Sequence, residues 1–115
     1  MTNYQYIDYD TGLSRVRNNR QLYLRLLKMF AESEEFQKLE GAIAAGNDEE
    51  AASVVHGIKG MSGNLALNPL FDITSRLLVQ FRQHNMDSAL VEEYHQVLKE
   101  TLREIEDLIP SPSRP

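Results

Sequence analysis

The sequence predicts an all-α protein, an antiparallel up-down four-helix bundle with a short N-terminal helix ahead of it. Three observations lead there. Apolar residues recur over most of the chain at the i, i+3, i+4, i+7 spacing that places them on one helix face. A single proline, Pro69, falls between Gly12 and Pro110. No segment alternates apolar and polar residues with β-branched side chains, as a half-buried strand would.

Each element follows in order. Asp10 to Val16 forms the short first helix, with Ile7, Leu13 and Val16 available to cover one end of the core. Asn19 caps a helix whose apolar positions Leu22, Leu26, Met29, Phe36 and Ile43 share one face, either as one long helix or as two broken near Ser33. Gly46 stops it, and Asn47 followed by Glu50 makes a capping-box-like start for the next helix from about Asp48, with Asp48 and Glu49 in the first turn. That helix buries Ala51, Val54, Val55, Ile58, Met61 and Leu65. It ends where Asn68-Pro69 supplies a cap and a first-turn proline for a helix carrying Leu70, Ile73, Leu77 and Phe81. After His84-Asn85-Met86, Asp87 caps a last helix with the stripe Leu90, Tyr94, Val97, Leu98, Ile105 and Leu108, which Pro110 terminates. Met29, Met61, Phe36, Phe71 and Phe81 read as core. Short connections force consecutive helices to lie side by side, hence the up-down bundle.

Composition narrows the function. With 115 residues, 42% apolar and 25% charged, the chain suits one domain, residues 1–109, followed by the Pro/Ser-rich tail 110–115. The absence of cysteine excludes a disulfide framework and a thiolate nucleophile. Twelve basic against 17 acidic side chains, a net charge of −5, argue against broad binding to nucleic-acid phosphates. No run approaches the ~20 apolar residues of a membrane span, and the N-terminus lacks the charged start and apolar run of a secretory leader, so a cytoplasmic location without membrane contact is expected.

One segment is too rich in glycine for a purely structural helix. With Ile58 at 0° on a helical wheel, Val54, Val55, Met61, Ser62 and Leu65 lie within about 60° and form the core face. His56 falls at about 160°, Lys59 at about 100°, and Ala52, Gly60 and Gly63 between about 120° and 200°. The histidine therefore points to solvent amid small residues, Ala52, Ser53 and Gly60 among them, that let a large partner approach the ring. Gly57, Gly60 and Gly63 each cost a helix interior ~1 kcal/mol relative to alanine, together a large fraction of the ~5–15 kcal/mol that stabilises a small domain. A neutral imidazole is a competent nucleophile near neutral pH, and Lys59, three residues on, can bring an ammonium to a phosphate on Nε2. Phosphoryl transfer needs mainly positioning and charge neutralisation. The sequence has no Gly-rich phosphate loop or nucleotide-binding motif, so it is not expected to start the transfer from ATP itself.

The run His56-Gly57-Ile58-Lys59-Gly60-Met61-Ser62-Gly63-Asn64-Leu65 resembles the signature of histidine-containing phosphotransfer (Hpt) domains, His-x-Leu-Lys-Gly followed by a small residue and then Leu-Gly. Ile7-Asp8, Gly12-Leu13, the Leu22 to Phe30 helix and the Ala42 to Asp48 helix end are similar to the family's N-terminal half. The resemblance implies the same four-helix bundle, with His56 as phosphoacceptor, Lys59 as the lysine beside the phosphate and Gly60 as clearance for the partner. Ala52, Ser53, Gly57 and Gly63 would flank the docking surface. The implied role is a phosphorelay intermediate without kinase activity of its own. It would accept a phosphoryl group from the aspartyl phosphate of a receiver domain, or from a hybrid sensor kinase, and pass it to another receiver. The domain would act as a monomer, and the receiver would supply the Mg²⁺ and the acidic pocket, this chain holding no cofactor or metal of its own. Two positions depart from the family: Ala66 stands where glycine is usual, and Leu78 where a Glu or Gln can hydrogen-bond the imidazole and fix its tautomer. Ser75 and Arg82, one turn away on either side, are the available substitutes, and Arg82 also has the reach of a phosphate contact.

Two other readings compete. A helical docking module for a receiver or kinase partner could use the glycine face without being phosphorylated, though the intact His56, Lys59 and Gly60 weigh against it. A metal site combining His56, His84 and His95 lacks the i, i+3 or i+4 ligand spacing of bundle metal centres, and the latter two histidines read as surface or helix-end residues.

Overall fold

The computed structural model describes residues 4–109, so the expected Pro/Ser-rich tail, residues 110–115, lies outside the described residues. The described residues are all-helical: α1 Tyr9–Arg15, α2 Arg20–Ala31, α3 Glu35–Ala44, α4 Asp48–Asn64, α5 Asn68–Arg82 and α6 Ser88–Leu108. The cap residues read from the sequence mark most of the starts. Asn19 Oδ1 accepts from Leu22 N, Asn47 Oδ1 from Glu50 N, and Asp87 Oδ1 from Ala89 N, each satisfying a donor the first helical turn leaves unpaired. Ser33 breaks the chain between α2 and α3, and its hydroxyl accepts from Glu35 N at 3.2 Å. Gly46 takes the left-handed conformation, φ 67°, that turns the backbone out of α3.

Three expectations are corrected. The buried face of α2 is Tyr23, Leu27 and Phe30, whereas Leu22 and Met29, expected in the core, are 36% and 60% exposed. Apolar residues occur all round this helix, and the break at Ser33 frees it from the register of α3. Tyr23 wins the buried position because its hydroxyl has a partner there, Leu65 O at 2.7 Å. Asn68 does not cap α5: it is the first helical residue, Leu67 is the cap without a side-chain bond, and Pro69 sits in the first turn, where its missing N–H leaves nothing unsatisfied. Phe71, expected in the core, is 40% exposed.

Packing places α4 between α3 and α5, with α6 against α5 and α2. Every helix from α2 to α6 contributes to one core, in which Val55, Ile58, Leu70, Leu77 and Tyr94 are fully enclosed. α5 runs back along α4: Gly63 faces Phe71 near the connecting loop, and Asp48 meets His84 at the far end. The loop turns at Ala66, whose φ is 60°. Glycine there would relieve ~1–2 kcal/mol of steric cost, but Ala66 is fully buried and its methyl returns ~0.8 kcal/mol, with a further gain from restricting the unfolded chain. The terms nearly cancel, which is why alanine is tolerated. Among the described residues no helix is long and apolar enough to cross a membrane.

One core group is out of balance. The Tyr94 hydroxyl is buried with no hydrogen-bond partner among the described residues, and burial, helped by the Glu40 carboxylate, pushes the phenol far above its ordinary pKa. An unpaired buried hydroxyl costs ~1–3 kcal/mol, and phenylalanine would keep the ring and remove that cost. Tyr94→Phe is expected to raise stability by about 1 kcal/mol, seen as a higher urea midpoint at unchanged slope. A lower midpoint would mean that the hydroxyl is bonded in solution.

Candidate functional site

The site is built on the middle of α4. Val54, Val55, Ile58 and Ser62 face the core, and Ser62 Oγ donates to Ile58 O at 2.7 Å, so its polarity is satisfied inside the helix. The opposite face carries His56, Gly57 and Gly60, all exposed. A Cβ built on Gly57 or Gly60 would meet nothing within 4 Å. The protein's own packing therefore does not require glycine at either position, and the helix presents bare backbone beside the imidazole. Ser53 is exposed and Ala52 half-buried one turn before the histidine, completing the small-residue surround.

Gly63 differs. It is half-buried, and a Cβ there would come within 3.1 Å of the Phe71 ring, so this glycine serves the close approach of α5. Lys59 is half-buried and extends its ammonium over the same ring, 5.6 Å from the centroid. Arg15, from α1, donates to Gly63 O at the end of α4.

Phe71, Ser75, Leu78 and Arg82 fall within about 60° of one another along α5, on the edge that Phe71 sets against α4. Leu78 is buried and has no group to bond an imidazole. Ser75 Oγ donates to Phe71 O at 2.7 Å, which uses its proton within the helix and leaves only its acceptor capacity. Arg82 is exposed and joins no ion pair among the described residues. The other histidines are engaged elsewhere: His84 Nδ1 lies 3.0 Å from Asp48 Oδ2, and His95 Nε2 lies 2.9 Å from Glu40 Oε2, linking α6 to α3. The three histidines do not converge, and no group of three metal-ligating side chains occurs among the described residues.

Sequence reasoning missed Phe71. Residue type alone assigns the ring to the core, although Phe71 lies about 100° from Leu70 on the wheel and so off the stripe of Leu70, Ile73, Leu77 and Phe81. That offset was the available signal.

A helical domain that raises one histidine on a glycine-bared face, with a lysine one turn on, has the layout of a phosphotransfer domain. The family model of the Hpt domain matches residues 25–109, and the chain belongs to the Hpt family. Its function is histidine phosphotransfer in a phosphorelay, in the two-component systems that pair such domains with receivers and kinases. The fold is similar to the crystal structure of histidine-containing phosphotransfer protein B from Pseudomonas aeruginosa PAO1, with a TM-score of 0.81 at 20% identity over 91% of this chain and 95% of that one. No curated protein matches the chain in sequence.

Proposed function

We propose that His56 carries the phosphoryl group and that residues 1–109 act as one monomeric relay domain in the cytoplasm, its helices arranged as an antiparallel up-down bundle. The observation that carries this reading is the exposed imidazole on bare backbone, anchored from beneath by the fully buried Val55 and Ile58. The Nε2 lone pair forms the N–P bond as the P–O bond to a receiver aspartate breaks. The bonding electrons leave with the carboxylate, and the Nδ1 proton stays on the ring or passes to water. Lys59 offsets phosphate charge, Gly60 and Gly57 let the receiver approach, and Ala52 and Ser53 border the contact. Arg82 is a second cation within reach of the phosphate. The Mg²⁺ comes from the receiver, and the domain relays phosphate without kinase activity of its own.

The test is incubation with a phosphorylated receiver domain and Mg²⁺, followed by intact mass and acid treatment. One acid-labile phosphate is expected on the wild type and none on His56→Gln. Phosphate on His56→Gln would overturn the assignment, and no transfer from any of several receivers would favour an unphosphorylated docking module.

A further inference from the structure

We propose that Phe71 is a positioning residue for Lys59: its ring holds the lysine ammonium toward the Gly63 end of α4 in the resting protein and yields it when a phosphoryl group occupies His56. This rests on His56 as the phosphate carrier. Lys59 has no carboxylate partner in any ion pair among the described residues, and the group that receives its ammonium is the Phe71 ring, 5.6 Å away at the centroid. At 40% exposure Phe71 is not a core side chain. It lies on the bare backbone of Gly63, where even a methyl would press it at 3.1 Å, so the glycine and the ring together make a seat one turn beyond Lys59. His56 lies one turn before Lys59, in the other direction. The ring and a phosphate on Nε2 thus compete for one ammonium from opposite sides.

The competition has a size. A cation over an aromatic face at an exposed site shifts an equilibrium about two- to fivefold. A ring that draws the ammonium away leaves the phosphate dianion less well neutralised and its pKa higher. Arg15, on Gly63 O, and Arg82, at the far end of α5 beside His84, form no cation–π pair with the ring among the described residues and are unchanged in all variants.

The experiment phosphorylates the full chain with phosphoramidate and titrates the ³¹P resonance that is absent from His56→Gln. Phe71→Leu is expected to lower the phosphoryl midpoint by about 0.3–0.7 pH unit, the same two- to fivefold change, and Phe71→Tyr, which keeps the aromatic face, to restore it. In a Lys59→Met background Phe71→Leu is expected to move nothing. An equal shift in both backgrounds, or none in the wild type, would overturn the proposal, because a packing or docking role for Phe71 does not need Lys59. Failure of the His56 assignment shows separately, as receiver-derived phosphate on His56→Gln.

Discussion

Replacing Gly60 with leucine is expected to slow phosphoryl transfer while making the free protein more stable. Gly60 lies inside α4 with open space where a Cβ would stand, so a side chain meets no neighbour and the helix gains the ~0.5–1 kcal/mol that glycine forfeits. A receiver seated on this face meets the same side chain as an obstruction. Overpacking a close contact costs ~1–3 kcal/mol, or about five- to 200-fold in rate if the obstruction is felt fully in the transition state. Rapid-quench transfer from a phosphorylated receiver and urea unfolding measure the two effects on the same protein. Unchanged transfer would remove Gly60 from the contact surface, and lower stability would show that the position is packed in solution.

The second large effect lies just past the C-terminal end of α4, where Tyr23 meets Leu65. Gly12 → Ala is expected to destabilise the fold by about 2–4 kcal/mol, the sum of overpacking and a weakened buried hydrogen bond. A Cβ at Gly12 would stand 2.1 Å from the Tyr23 hydroxyl. That hydroxyl cannot retreat cheaply: Tyr23 is fully buried, its phenol pKa is pushed up to about 12 chiefly by burial, and its proton is donated to Leu65 O. The same corner ties α1 and the segment before it to the end of α4 through Arg15 on Gly63 O and Asp8 N on Ala66 O. Urea denaturation of Gly12→Ala beside Gly41→Ala provides the contrast. Gly41 has nothing within 4 Å of its would-be Cβ, so the same added methyl is expected to be neutral or stabilising there. Equal midpoints for the two variants would mean that α1 shifts freely and that the Tyr23 contact contributes little.

Much of this was legible in the sequence because it rests on local chemistry. Asn19, Asn47 and Asp87 announce helix starts through side-chain oxygens that bond backbone N–H groups two or three residues on, and these bonds need no tertiary context. His56 could be placed on the outer face because Val55 and Ile58 fix the inner one. What was not legible depended on partners distant in the chain. Leu22 and Tyr23 are equally apolar to a wheel, and Leu65 O, 42 residues away from Tyr23, decides between them. Asn68 has the residue type of a cap, but the Ala66 turn delivers the chain so that α5 has already begun at that position. Gly63 has the sequence context of an open shelf, but Phe71, eight residues on, lies against it.

The bare strip at Gly57 and Gly60 also bears on how this domain chooses among receivers. Backbone without side chains offers shape but no individuality: it has no charge to match, no pocket to fill and nothing to clash selectively. Under the proposed role of His56, any receiver whose acidic mouth can straddle a helix would gain access to it on equal terms. Discrimination would then fall to the rim, where the exposed Phe71 ring and the Arg82 charge lie on the edge of α5 set against α4. If His56 is the phosphate carrier as proposed, chemistry and partner choice would be carried by different helices, and substitutions on α5 would be expected to redirect the relay while leaving phosphate acceptance on α4 intact.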